Sequence, residues 1–271
     1  MNPLISVIIP AHNSEATIAT AIQSILDQTY KHLELIVVDD NSTDATRIVV
    51  ERFPSVRYLA LPFDDPHRFN HRGVNINAGW MARNYGVDHA NGDWITFQDA
   101  DDASLLNRIE IQYTLAQKFQ SSHVCIGWQT FDESLLKQIL NLDEFLKNHA
   151  EATLLSEAIT ALAKKTKGVG CTLFGSLHSL VPFPLKRRLR FFFPHWDPYP
   201  FAGNSPLVRR DVFDRVRFRP RNKRVWPSDR GRGADRDFNF QVTETFKDST
   251  CVNMPLYLWR IKTQNPILVL P

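Results

Sequence analysis

The sequence predicts an α/β fold, a mostly parallel central sheet flanked by helices. Three observations predict it. Short apolar, β-branched runs recur at residues 5–10, 33–38, 56–61 and 93–98. Segments with helical apolar spacing lie between them, giving the alternation of a parallel sheet covered on both faces. Acidic groups follow the second and fourth runs, at the strand ends where open sheets of this kind bind ligands.

The elements follow in order. ISVIIP, Ile5 to Pro10, reads as a buried strand stopped by proline. Asn13 or Ser14 caps the next helix, with Glu15 in its first turn and Ile18, Ile22 and Ile25 as its apolar face. LELIVV, Leu33 to Val38, is a second buried strand ending in Asp39-Asp40-Asn41-Ser42. Thr43 or Asp44 caps a helix carrying Ile48 and Val49. VRYLAL, Val56 to Leu61, is a third strand, followed by the polar loop PFDDPHRFNHRGVN. A helix runs from about Ala78 to His89, and DWITFQ, Asp93 to Gln98, is the fourth strand.

The second half is less regular. SSHVCIGWQTF, Ser121 to Phe131, contains a strand. Residues 133–167 read mostly as helix, with Leu136, Ile139, Leu140 and Phe145 apolar. A segment mixing proline, aromatics and arginine, residues 180–204, reads as a loop or broken helix. Phe238, Val242 and Phe246 at four-residue spacing predict a helix preceded by Asp235 and Asp237.

Composition narrows the class. The 271 residues suffice for one large domain or a domain with an appendage, and 43% hydrophobic with 23% charged residues is ordinary for a soluble globular protein. The longest apolar runs fall short of a membrane span. The N-terminus lacks the basic region of a cleavable signal and runs straight into a strand pattern. Cys125, Cys171 and Cys251 fit no zinc spacing or disulfide framework and suit a reducing cytosol. Residues 181–232 hold 14 Lys/Arg against 4 Asp/Glu, so this segment carries +10 and the rest, within an overall +3, carries −7. Such a segment suits either an anionic partner or a solvated face with internal ion pairs.

FQDADDAS, Phe97 to Ser104, places Asp99, Asp101 and Asp102 within four positions after the fourth strand. A D-x-D on such a turn offers two carboxylates to Mg²⁺ or Mn²⁺, leaving the remaining positions to phosphates and water. Three close carboxylates raise one another's pKa unless positive charge sits among them. Spacing alone equally allows Asp102 or Ser104 to cap a helix near Ala103, with Asp99 solvated. Neither G-x-G-x-x-G after the first strand nor G-x-x-x-x-G-K-[ST] anywhere is present, which argues against a standard dinucleotide site or a P-loop.

The stretches SVIIPAHNSEATIATAIQSILDQTYKHLELIVVDDNSTDAT and ARNYGVDHANGDWITFQDADD resemble the family 2 glycosyltransferases of GT-A (Rossmann-like) fold. Four motifs match in order across residues 4 to 108, and GNSPLVRRDVFDRV, GADRDF and PLYLWRIKTQN match more loosely beyond. The resemblance implies a single domain over residues 1–271. Residues 1–108 would be its nucleotide-sugar-binding half, and residues 109–271 a less regular acceptor-binding half. Pro10, Ala11 and His12 would line the base pocket, His12 standing where the family usually has tyrosine. Asp40 would accept a hydrogen bond from the base, as expected for uracil, and Asp39 would support the same turn. Arg83 would hold this pocket or the diphosphate. Asp99 would reach the ribose or metal-bound water, Ala100 lies between the carboxylates, and Asp101 would ligate the metal directly, Mn²⁺ or Mg²⁺. The family's E-D motif reads Ala234-Asp235-Arg236-Asp237 here, without its glutamate. Asp235 is then the first candidate for the general base and Asp237 the second, while Asp235 as a simple helix cap stays open.

The implied reaction is inverting transfer of a sugar from a nucleotide diphosphate sugar to the hydroxyl of a saccharide or lipid-linked acceptor. The expected location is the cytoplasm. Lys186, Arg187, Arg188 and Arg190 beside Phe191 to Phe193 suit peripheral contact at the anionic inner face of the membrane or a lipid-diphosphate acceptor; alternatively the phenylalanines are core and the arginines face the donor diphosphate. His178 and His195 are further candidates for metal or acceptor contact. A nucleotidyltransferase on a similar sheet and a non-catalytic partner subunit are the competing classes. No nucleic-acid-binding motif accompanies the basic stretch.

Overall fold

The computed structural model describes residues 2–66, 68–70, 73, 75–162, 201–224 and 233–261. In the first half, β1 (Ile5–Ala11), α1 (Ile18–Leu26), β2 (Leu33–Asp39), α2 (Thr46–Val50), β3 (Arg57–Ala60), α3 (Trp80–His89) and β4 (Trp94–Phe97) alternate as expected. The chain continues through β5 (Ala103–Ser104), α4 (Arg108–Phe119), β6 (His123–Thr130), α5 (Leu142–Asn148), β7 (Thr153–Leu154), β8 (Ala202–Arg209), α6 (Ala234–Phe246) and β9 (Ser249–Trp259). One sheet joins the strands in the order β3-β2-β1-β4-β8-β6-β9-β5, with β7 also pairing β9. The β3-β2-β1-β4 part is parallel. β8 then runs antiparallel to both β4 and β6, and β6 pairs parallel with β9.

The strands are apolar on both faces because helices cover both. Ile5, Val7 and Ile9 of β1 pack with α1 and α4, while Ile8 between them packs with α3 and α6. This is the two-residue period of a strand feeding two separate cores. Ile18, Ile22 and Ile25 of α1 are fully buried on the first core, as their spacing predicts.

The expected helix starts are corrected. α1 begins at Ile18, and its cap residue Thr17 makes no side-chain cap bond. Asn13, Ser14 and Glu15 serve the neighbouring loop instead. The Asn13 side-chain oxygen accepts from the Thr43 amide at 2.8 Å, Ser14 N–H donates to the Thr46 hydroxyl, and the Glu15 carboxylate accepts from Ala45 N–H. In return, Asp44 accepts from Glu15 N–H. No helix starts near Ala103; that residue opens β5, and α4 begins at Arg108. The helix expected over 133–167 is broken into a 3₁₀ turn at Glu133–Lys137, α5, a second 3₁₀ turn at Ala150–Ala152 and, after β7, helical residues 156–162. Asp132 and Asn141 each start a separate turn by accepting from a main-chain amide, which breaks the run. Residues 163–167 lie outside the described part, as do His178, His195 and the Lys186–Phe193 cluster. Among the described residues no helix is long and apolar enough to cross a membrane.

A buried polar chain joins β6, β9 and α6. Asn239 donates its amide to the Gly203 carbonyl at 2.7 Å, so its oxygen faces His123 Nε2 at 3.0 Å and that nitrogen carries the proton. His123 Nδ1 then accepts from Ser249 Oγ at 2.9 Å. The imidazole is neutral, and burial pushes its pKa down from 6.5 to about 4. The unfolded chain therefore binds a proton at higher pH than the folded one. The contribution of the neutral ring is complete above pH 6.5 and is lost as pH falls through the folded value. It amounts to about 3 kcal/mol. Urea unfolding between pH 7 and pH 4 should show this decline, and His123→Gln should remove about one proton of uptake from the slope.

Candidate active site

A cleft of about 900 Å³ opens at the carboxyl ends of β1 and β4. Pro10, Ala11, His12, Asp40, Arg83, Asp99, Ala100, Asp101 and Asp235 all line it, so the structure brings most of the expected residues onto one surface. Asp39 and Asp237 do not line it.

At the β1–β2 end, Asp39 is buried and holds the turn. Its carboxylate accepts from Ser42 N–H at 2.9 Å and from the Tyr58 hydroxyl at 2.7 Å. Burial and the bond to Asp39 push the Tyr58 pKa above its ordinary value. Asp40 is also buried and forms a two-pronged ion pair with Arg68, one prong at 3.0 Å. Burial opposes the charge of Arg68, but the hydrogen bond and charge of Asp40 prevail and raise its pKa. Sequence reasoning missed Arg68. It stands in the polar loop after β3, without period or motif to mark it. His12 Nδ1 lies 2.7 Å from the Asp40 carbonyl. A carbonyl only accepts, so the proton sits on Nδ1.

At the β4 end, Asp99 accepts from Arg83 at 2.6 Å and from Asn204 Nδ2 at 2.9 Å. Arg83 reaches it by passing Gly79, whose φ is +63°. A Cβ at Gly79 would lie 2.8 Å from Arg83 Nη1 and 3.2 Å from Pro10 Cβ, so only glycine lets the guanidinium through. Burial raises the Asp99 pKa; Arg83 and Asn204 oppose the rise, and the carboxylates of Asp101 and Asp235 add to it. Although Asp99 is packed within the cleft wall, 27% of its side chain remains open to the cleft.

Asp102 is neither helix cap nor cleft residue. It accepts from the Tyr257 hydroxyl at 2.9 Å and from Arg260 N–H at 2.7 Å. Tyr257 in turn accepts from Asp99 N–H at 3.2 Å. Arg260 donates from Nε to the Asp101 carbonyl at 3.0 Å, and its guanidinium lies 3.8 Å from the Phe131 ring centre. The end of β9 therefore clamps the whole D-A-D-D turn. Burial, then Asp99 and Asp101, push the Asp102 pKa up to about 8.

Asp235 and Asp237 both sit in the first turn of α6, whose N-cap is Gly233, so Asp235 is not the cap. Two positions apart on a helix means about 200° apart in direction. Asp235 is half-buried and faces the cleft. Asp237 points into the protein, is buried, and pairs with Arg219 at 2.8 Å. That placement removes Asp237 from contact with a substrate and leaves Asp235 as the carboxylate of the motif that can meet one. Among described arginines of the basic segment, Arg209, Arg217 and Arg219 likewise pair with Asp211, Asp88 and Asp237.

Among the described residues, no three His, Cys, Asp or Glu side chains converge as a closed metal site. The donor set instead fits a cation shared with a substrate. Asp101 lines the cleft with a hard carboxylate, and burial of Asp99, with Asp101 and Asp235 near it, disfavours further negative charge there even beside Arg83. Asp99 fits less well as a direct ligand, since Arg83 and Asn204 engage both its oxygens. The clamp itself is testable. Tyr257→Phe leaves Asp99 N–H and one Asp102 oxygen short of a partner and should lower unfolding free energy by about 2 kcal/mol in urea titrations. Tyr85→Phe, whose hydroxyl has no partner among the described residues, should cost much less.

Comparison with known proteins bears on the fold and the family. An Escherichia coli protein, the UDP-Glc:alpha-D-GlcNAc-diphosphoundecaprenol beta-1,3-glucosyltransferase WfgD, is 37% identical over 151 residues, covering 54% of this chain and 56% of its own. The chain thus spans about half the length of that relative. The structure of S. aureus TarS 1-349 in complex with UDP superposes with a TM-score of 0.59 at 16% identity, over 95% of this chain and 60% of that one. Glucosyl-3-phosphoglycerate synthase from Mycobacterium tuberculosis, with Mn²⁺, UDP and glucosyl-3-phosphoglycerate, superposes with a TM-score of 0.52 at 18% identity, over 96% of this chain and 73% of that one. At such identities the likeness shows the fold, the GT-A arrangement expected from the sequence. The description "Glycosyl transferase family 2" matches residues 6–172, which include β1, β2, β4 and the D-A-D-D turn, and the chain belongs to that family.

Proposed function

We propose that this chain is an inverting, metal-dependent glycosyltransferase. It moves a sugar from a UDP-sugar to an acceptor hydroxyl, on a saccharide or lipid-linked molecule, during synthesis of cell-surface polysaccharide or glycolipid. The observation that carries this reading is that Asp40 with Arg68, Arg83 with Asp99, Asp101 and Asp235 share one cleft. The E. coli relative acts on a diphosphoundecaprenol-linked acceptor, which supports the acceptor class.

Asp40 and Arg68 set an acceptor beside donors, the complement of an imide N–H flanked by carbonyls, as in uracil. His12, its ring held by the Asp40 carbonyl, takes the tyrosine's place at the edge of the base pocket. Asp235 accepts the proton of the acceptor hydroxyl while that oxygen bonds to the anomeric carbon. The bond from that carbon to the diphosphate breaks, and its electron pair leaves with the diphosphate. A single displacement needs one base and no enzyme nucleophile. Asp235 is the one described carboxylate lining the cleft outside Asp40 and the D-x-D turn. A Mn²⁺ or Mg²⁺ ion held by Asp101, with Asp99 beside it, would supply charge stabilisation to the departing diphosphate. Arg83 and Asn204 hold the Asp99 carboxylate in place.

Two measurements test the reading. A thermal-shift screen of UDP, GDP, CDP and ADP with Mn²⁺ should show the largest stabilisation by UDP, and Arg68→Ala should abolish that preference; stabilisation by none of the four would defeat the donor assignment. In a UDP-release assay, Asp235→Asn should lower kcat at least about 100-fold while UDP still binds. Wild-type protein that binds UDP yet releases none from any UDP-sugar would instead favour a non-catalytic partner subunit, the reading suggested by Ala234 in place of glutamate.

A further inference from the structure

The cleft has an aromatic corner that the reaction described above does not use. Trp128 on β6 is a large apolar side chain left 44% exposed, and it lines the cleft together with Trp259 at the end of β9. The two indoles stand at 89° with centroids 4.9 Å apart, edge against face. The corner is braced from behind: Phe131 N–H donates to the Trp259 carbonyl at 2.8 Å, and Arg260 stacks on Phe131. A corner of two tryptophans open to water is costly unless something covers it.

The backbone is shaped to aim Trp128 there. Ile126 pairs with Val252, Gly127 with Pro255 and Trp128 with Tyr257, so β9 skips Asn253, Met254 and Leu256 across this point. Such irregularities re-aim side chains beside functional sites. The skip is possible because residue 127 is glycine. A Cβ there would lie 2.7 Å from Asn253 Oδ1 and 2.8 Å from the Asn253 carbonyl carbon.

The order of strands says what would meet the corner. The nucleoside end of the cleft lies on β2 and β1, the D-A-D-D turn follows β4, and Gly203 of β8 faces Asp235. β6 and β9, which carry the corner, come next; β9 also pairs with β5, which directly follows the D-A-D-D turn, so the corner borders that turn as well as Asp235. The corner thus closes the side of the cleft away from the nucleoside end on β1 and β2, with Asp235 beside it. The group beside the base is the one that surrenders its proton. The surrounding polar groups, Asp101, Asp235, Arg236 and Arg260, suit hydroxyls, and the indole faces suit the C–H face of a sugar ring, whose positive edge meets the negative π face.

We infer that Trp128 and Trp259 form the binding platform for a pyranose of the acceptor, so that the acceptor is recognised as a saccharide through its ring face. This rests on the glycosyltransferase reading and deepens it. The donor's nucleoside and diphosphate, held at the ends of β1, β2 and β4, do not depend on Trp128.

Saturation-transfer NMR on the full chain, with UDP and Mg²⁺ present, tests it with methyl β-D-glucopyranoside, methyl β-D-galactopyranoside and methyl N-acetyl-β-D-glucosaminide as probes. At least one should receive saturation concentrated on the C–H protons of one ring face. Trp128→Ala should reduce that signal about fivefold, and Trp128→Phe should retain much of it. UDP affinity, read in the same samples, should not follow the Trp128 series. Equal transfer in Trp128→Ala, or no transfer to any probe while UDP binds, overturns the platform and leaves the donor reading standing. Failure of UDP itself to bind overturns both.

Discussion

The hydroxyl of Tyr257 holds the two halves of the cleft together. It donates to Asp102 and accepts from the main chain of Asp99, joining the last strand to a turn more than 150 residues earlier. The N-terminal strands supply the acidic turn, but a run of three carboxylates does not hold its own shape, since its members repel. The β9 end supplies what it lacks: a hydroxyl and a main-chain amide on the two oxygens of Asp102, and a guanidinium on the Asp101 carbonyl. With Asp102 facing inward and tied down, Asp99 and Asp101 are left facing the cleft. The third carboxylate is thus a mooring, and the division of labour within Asp99-Ala100-Asp101-Asp102 is set by the last strand.

The same logic recurs around the cleft. Asp40 pairs with Arg68, Asp99 with Arg83 and Asp237 with Arg219, all in buried or half-buried surroundings. Breaking such a pair leaves an uncompensated charge, so each partner fixes the other's position. Charge near the cleft is thereby organised before any ligand arrives, which reduces the reorganisation that a reaction demands of the protein.

What could be read from sequence divides along a physical line. β1, β2 and β4 were legible because strands buried on both faces are short apolar runs, and burial on both faces is what they show. The cleft's location followed from the acidic groups at strand ends. Local rules failed where a side chain's partner was distant. Asn13, Ser14 and Glu15 look like helix caps, yet they bond to the loop near residue 44. Asp102 looks like a cap, yet its partners are Tyr257 and Arg260. Arg68 has no periodicity to announce it, and only the folded loop brings it to Asp40. Asp235 and Asp237 were alternatives in one dimension; the turn of a helix separates them in three.

The irregular pairing at Gly127 has a mechanical consequence. On both sides of the slip β9 feeds the interior: Cys251 and Val252 before it and Leu256 and Leu258 after it are fully enclosed. Beyond Pro255 it runs in a new register with β6 and leads to Tyr257, Trp259 and Arg260. The glycine acts as a gearbox between two trains of contacts. What changes at the slip is which β6 residue each β9 residue meets, so Tyr257 of the clamp is set beside Trp128 while Val252, Leu256 and Leu258 keep feeding one core.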